Sequence, residues 1–275
     1  REDPAPQHRY EYLAEAAEKG QKYGKLRTLT MAVFNIKIAG FTASVTSLFD
    51  STKDYCRSYL SDDAPDFSIR VKPEDLVYEQ DFLDAEAEEE GLRRRKFTDP
   101  FLERAAIQRM VAENLLSRDV LLLHGSTVAV DGQSFLFTAR CGTGKSTHTR
   151  FYREVFGDRA VMVNDDKPFL RFTENGVLAC GAPWSGKHGL DTNITVPLAG
   201  ICILTRGAEN RIERACPEDV LPMLVSQSNP PRNAEDLPQW EHLLEKLAKT
   251  VPLWQMACTK DPAAALVSHG AMSGK

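Results

Sequence analysis

Two short runs in this chain carry side chains suited to handling phosphate. The first is Ala139-Arg140-Cys141-Gly142-Thr143-Gly144-Lys145-Ser146-Thr147. The second is Asn164-Asp165-Asp166, placed one predicted strand further on. A loop of the form G-x-x-x-x-G-K-[ST] wraps its backbone amides around phosphate oxygens, and its Lys reaches the outer two groups. Here Ala139 stands at the first position, but Gly142 and Gly144 remain to turn the amides inward. On this reading residues 141–147 cradle a nucleoside triphosphate, and Lys145 neutralises its outer phosphates. Ser146 ligates Mg²⁺ through its hydroxyl, and Thr147 opens a helix whose N-terminus favours anions.

Acids at a strand end beside a phosphate site hold a metal ion or take a proton from an attacking hydroxyl. Neighbouring side chains there point in different directions, so their roles split. Asp165 is assigned as general base and Asp166 as the metal-side ligand, against a plain turn pair. His124, in Leu123-His124-Gly125-Ser126, is a second candidate; a lone His is more often structural, but one beside two carboxylates tunes which stays ionised. The run from Gly181 to Gly189 holds Trp184, Ser185, Lys187 and His188 between glycines. It reads as a flap whose Lys187 stabilises a transferred phosphoryl group, or as a surface turn anchored by Trp184. Arg206, after a buried strand, is a phosphate or nucleotide contact or a surface ion pair. Cys141 is a tolerated small loop residue.

These residues need elements to hold them. Residues 120–124 read as a short apolar strand, and 127–130 with 134–138 as a hairpin about Asp131-Gly132, a pair that supplies positive φ. That hairpin runs into the glycine loop. A helix is predicted from Lys145, a strand over 160–163, a hairpin over 169–180 and a buried strand over 198–204. Helices over 218–227, 235–249 and 261–269, with a strand over 251–256, complete this part. Upstream, 34–38 and 41–47 alternate apolar with polar residues about a turn at Ala39-Gly40, and 67–71 alternates likewise. These are expected to form a small, mostly-β, antiparallel region over 30–78. Residues 79–96 read as an exposed charged helix, and Asp99-Pro100 as the start of the next, Asp99 capping it. That helix is expected to place Phe101, Leu102, Ala105, Ala106, Ala112 and Leu116 on one face. Residues 1–28 are polar and read as a helix or a frayed end.

Bulk properties narrow the function classes. The net charge of −5 creates no basic field for nucleic acid or anionic lipid. No apolar run approaches the ~20 residues that span a bilayer, and the opening residues lack a signal-like core. The six cysteines show no CxxC pair or metal-ligand spacing. A reduced, cytoplasmic protein is expected.

The order of His124-Gly125, the Asp131-Gly132 hairpin, the Cys141–Thr147 loop and Asn164-Asp165-Asp166 resembles the catalytic domain of bacterial HPr kinase/phosphorylase. That family shares a core with phosphoenolpyruvate carboxykinases, and the Gly142-Thr143-Gly144-Lys145 stretch looks like the carboxykinase loop. The resemblance covers about residues 120–206. It implies an α/β fold with a mixed sheet, a P-loop core of this type, and a small mostly-β N-terminal domain. The division is placed at 1–97 and 98–275. It also implies ATP-dependent transfer to a hydroxyl, with the base role on Asp165, His124 near the site, and the phosphate roles on Lys145, Ser146 and Thr147. The recognition segment usual after the Asp pair is missing, so a small molecule or a peptide serine is the expected acceptor. Oligomeric state stays open. An ATP-binding sensor or scaffold, and carboxykinase-like chemistry, are the alternatives.

Overall fold

The computed structural model describes residues 31–89, 91 and 93–274, so the reading of residues 1–28 lies outside the described residues. In chain order, strands β1 (Ala32–Ile38) and β2 (Phe41–Ser47) are followed by the short helix α1 (Ser51–Tyr55) and strand β3 (Phe67–Arg70). Helices α2 (Pro73–Glu89) and α3 (Asp99–Leu116) lead to strands β4 (Val120–Leu122), β5 (Ser126–Val130) and β6 (Gln133–Thr138). Helix α4 (Lys145–Phe156) precedes strands β7 (Ala160–Asn164), β8 (Phe169–Thr173), β9 (Gly176–Cys180), β10 (Thr195–Arg206) and β11 (Arg211–Arg214). Helices α5 (Pro217–Ser226) and α6 (Leu237–Thr250), strand β12 (Leu253–Cys258) and helix α7 (Ala263–Met272) end the described chain.

The strands form two sheets. β1, β2 and β3 make the smaller one in that order. The hairpin at Ala39-Gly40 pairs β1 and β2 antiparallel as expected, but β3 runs parallel to β2, with Val45 opposite Ile69. Residues 51–66 cross over and return the chain in the same direction, which a purely antiparallel reading overlooked. The larger sheet is mixed, ordered β4-β8-β9-β10-β6-β5-β7, with β12 beside β10 and β11 beside β12. β10 makes this possible by its length: its first residues pair antiparallel with β9, and its later ones run parallel to β6 and β12.

Alternation along the strands sets the layers. Phe135, Phe137, Cys202 and Leu204 face one side, where they pack with Phe151 and Tyr152 of α4 and Ala264 and Ala265 of α7. Leu136, Ile201 and Ile203 face the other, against Val220 and Leu224 of α5 and Leu243, Leu244 and Leu247 of α6. A third apolar cluster joins the small sheet to α3, β4 and Trp184. Within it the buried Glu103 carboxylate accepts hydrogen bonds from the Leu48 backbone and the Thr52 hydroxyl, fixing the small sheet and α1 onto α3.

Three helix readings change in detail. α2 starts at Pro73 rather than 79, and its Asp75, Leu76 and Glu79 are buried, so it is not a wholly exposed helix. The basic run 93–96 lies after it, outside any helix or strand, where Arg94 pairs with Glu88 at 2.6 Å. α3 takes Thr98 as its N-cap with Asp99 and Pro100 inside the first turn, and its buried face is Leu102, Ala106, Ile107, Val111 and Leu115. Phe101 is exposed and stacks on Phe97 instead.

Candidate functional site

The ends of three strands converge. His124 follows β4, the glycine loop follows β6, and Asp165 and Asp166 follow β7. Backbone and hydroxyl hydrogen bonds tie these ends together. Thr138 Oγ1 donates to the His124 carbonyl at 2.9 Å, and Gly125 N–H donates to the Asp166 carbonyl at 2.9 Å. Gly125 is needed for that approach, because a Cβ there would sit 3.0 Å from the Leu136 side chain and 3.1 Å from the Phe137 carbonyl.

The loop between β6 and α4 turns at two positive-φ glycines, Gly142 (71°) and Gly144 (123°), conformations that side-chain-bearing residues rarely take. Gly144 caps α4, and its carbonyl accepts the His148 amide at 2.9 Å. The Lys145 ammonium donates to the Ala139 carbonyl at 2.9 Å, across the mouth of the loop. The loop is reached from the side by Arg206, whose Nη2 donates to the Gly142 carbonyl at 2.7 Å. Parallel pairing of β10 with β6, Ile203 opposite Thr138, brings Arg206 to that edge. Cys141 is exposed on the loop.

The two aspartates differ sharply in setting. Asp165 is 7% exposed, and its Oδ1 accepts the Ser126 hydroxyl at 2.5 Å. Ser126 Oγ lies 2.7 Å from Thr149 Oγ1 in the second turn of α4, so Asp165 faces the helix that follows the glycine loop. The Asp166 side chain is 33% exposed, and its Oδ1 lies 3.2 Å from His124 Nε2. Burial drives the His124 imidazole below its ordinary pKa, outweighing the pull of Asp166, and the nearby Lys167 and Lys145 act in the same direction as burial. A neutral imidazole donating Nε2–H fits that balance. Burial alone raises the Asp166 carboxyl, but the His124 hydrogen bond and the charges of Lys167 and Lys145 hold it below the usual carboxylate range. Lys145 therefore acts electrostatically on both members of the pair.

Asn164 orients this turn. Its Oδ1 accepts the Asp166 and Lys167 amides at 2.8 and 2.6 Å, and its Nδ2 donates to the Ala182 carbonyl at 2.8 Å. The sequence presented Asn164 beside the acids, a residue type that bonds its own backbone two residues on. Ser126 and Thr149 had no such signal.

The 181–189 run is anchored at its start. Trp184 is buried, and its indole N–H donates to the Arg104 carbonyl at 2.8 Å. Tyr55 donates to the Pro183 carbonyl at 2.7 Å, and Ser185 donates to Asp191 at 2.5 Å. Only the tip, residues 186–189, is exposed. Gly186 passes so near Asp166 that an added Cβ would lie 3.1 Å from the aspartate's own. Lys187 thus sits exposed on a tip that touches the site.

No protein-family model and no curated protein sequence matches the chain. Among solved structures the chain is similar to the Hpr(Ser) kinase/phosphatase from Coxiella burnetii. That likeness has 12% identity and a TM-score of 0.34, covering 56% of this chain and 99% of that one. It is a distant structural resemblance.

Among the described residues, no group of three or more His, Cys, Asp and Glu side chains is arranged to hold a metal ion. The six cysteines are free thiols. No helix of the described residues is long and apolar enough to cross a membrane.

Proposed function

We propose that this chain is an ATP-dependent phosphotransferase acting on a hydroxyl group. The observation that carries the reading is the convergence of Lys145 and Arg206 on the glycine loop with the His124–Asp166 pair, within electrostatic reach of Lys145. The loop suits phosphate oxygens because two left-handed glycines free its amides to turn and a helix begins at its end. Mg²⁺ is commonly held by one or two side chains together with substrate phosphates. Ser146 and Asp165 are the residues to hold it, on the α4 side. When bound, the ion neutralises charge on the phosphate oxygens.

This exchanges the two aspartate roles read from the sequence. Asp165 is buried and already bonded by Ser126, whereas Asp166 is accessible and ionised. In the step, the acceptor oxygen forms a bond to the γ-phosphorus as the bond to the β,γ-bridging oxygen breaks. ADP leaves with that electron pair. The acceptor's proton passes to Asp166 Oδ2, since Oδ1 faces His124. Lys145 and Arg206 steady the phosphates, and Lys187 on its exposed tip is placed to meet the transferred group. Positioning and electrostatics supply most of the rate, as in phosphoryl transfer generally.

The test is transfer of label from γ-labelled ATP to hydroxyl compounds and serine peptides. Asp166→Asn should lower transfer by about 10²–10⁴-fold, the range for losing a general base, while MgATP still binds. Full transfer by Asp166→Asn with loss in Asp165→Asn would restore the original assignment. Binding without transfer by the wild type favours an ATP sensor.

A further inference from the structure

A cavity of about 160 Å³ lies between α2 and α3, closed by β4, the 229–231 loop and α6, and Asp166 and Lys167 form part of its wall. Its volume matches a single ring-sized molecule, since an apolar cavity of about 150 Å³ holds benzene. Tyr78, Phe82, Leu122 and Trp240 supply apolar surface.

Two residues of this wall carry a buried donor with no partner among the described residues. Trp240 is 5% exposed, and its indole N–H, a donor only, finds no hydrogen bond among the described residues. The buried Gln108 Nε2 is also unpartnered and belongs to the same wall. Both atoms are closed off from the cavity's own space, so an occupant meets these side chains through their apolar surface.

Charge narrows the ligand further. Arg109 is fully engaged, 2.6 Å from Glu79, 3.2 Å from Glu113 and 3.4 Å from Asp75. Four acidic side chains (Glu79, Glu86, Glu113 and Asp166) line the cavity against two basic ones, so an anionic ligand is repelled.

We infer that this cavity is the acceptor pocket, taking a small uncharged or cationic alcohol with a ring-sized apolar body. The apolar body packs beside Trp240, and the alcohol oxygen lies at Asp166. The inference rests on the phosphotransferase reading for the chemistry, but the binding can be tested without it.

The probe is 4-methoxybenzyl alcohol, added at millimolar concentration to the ¹⁵N-labelled chain, with 4-(hydroxymethyl)benzoate as its anionic counterpart. The indole resonance of Trp240, identified by Trp240→Phe, should move while those of Trp184 and Trp254 stay. The benzoate should bind about tenfold more weakly. Ala112→Phe, or Ala105→Phe if the first fails to fold, should fill the cavity and abolish the shift while leaving MgATP uptake intact. An unmoved Trp240 resonance, or equal binding of the benzoate, overturns the inference. Separate calorimetry with MgATP distinguishes the two claims. MgATP uptake with a silent Trp240 removes the pocket and leaves the phosphotransferase. A moving Trp240 without MgATP uptake removes the phosphotransferase, and with it the acceptor role.

Discussion

His124 Nε2 lies 3.2 Å from Asp166 Oδ1, and the residue after His124 donates its backbone N–H to the Asp166 carbonyl. The aspartate is gripped at both side chain and backbone by one two-residue step. The imidazole is kept neutral chiefly by burial, so it serves Asp166 as a hydrogen-bond donor rather than as a fixed cation.

Removing that donor should be visible in the pH dependence. In the wild type the Asp166 carboxyl lies below the ordinary range, so it stays ionised well into acid. His124→Ala leaves burial, which raises the carboxyl, less opposed. The acid limb of the kcat/KM profile should therefore move to higher pH, and kcat should fall by about 10–100-fold. An unmoved acid limb would show that His124 does not set the ionisation of the catalytic base.

Ser126 should matter for stability. Its hydroxyl bridges the Asp165 carboxylate and Thr149 in a fully buried position. Ser126→Ala strips a donor from a buried carboxylate and should cost about 1–3 kcal/mol in urea unfolding. Thr149→Ser keeps the hydroxyl and should cost less. Equal stability of Ser126→Ala and the wild type would mean that water replaces the serine.

How far the site could be read from the sequence followed the range of its interactions. The glycine loop, the Asp pair and their flanking strands are local patterns, and each is where spacing put it: β6 into the loop, α4 from Lys145, β7 into Asn164. The parallel step from β2 to β3 and the extra strand β11 depend on distant partners, Val45 with Ile69 and Ile212 with Met256, which no local window contains. Asp165 and Asp166 are neighbours in sequence, yet their settings are decided by Ser126, which opens β5, and His124, in the link before it. The partners of Trp184 and Tyr55 likewise come from across the fold.

A second pH effect belongs to the core. Burial pushes the His148 imidazole down to about 4. Its Nε2 sits 2.9 Å from Ser268 Oγ, and its buried Nδ1 has no partner among the described residues. A second proton there would be a bare buried charge. Above the unfolded value near 6.5 this costs the folded state nothing. As the pH falls from about 6.5 towards 4 the unfolded chain gains a proton that the folded chain refuses, so stability drops by on the order of 3 kcal/mol. Urea unfolding at pH 7 and pH 4.5 should show a smaller gap for His148→Gln than for the wild type. An equal gap would assign the acid sensitivity elsewhere.

The central claim is that the loop from Cys141 to Thr147 takes the triphosphate with Lys145 at its outer end. Isothermal titration of the folded chain with MgATP tests it most directly. One site is expected, lost in Lys145→Ala and weakened in Arg206→Ala, whose guanidinium braces the Gly142 carbonyl. Absence of MgATP uptake by the wild type, or uptake undiminished in Lys145→Ala, would contradict it.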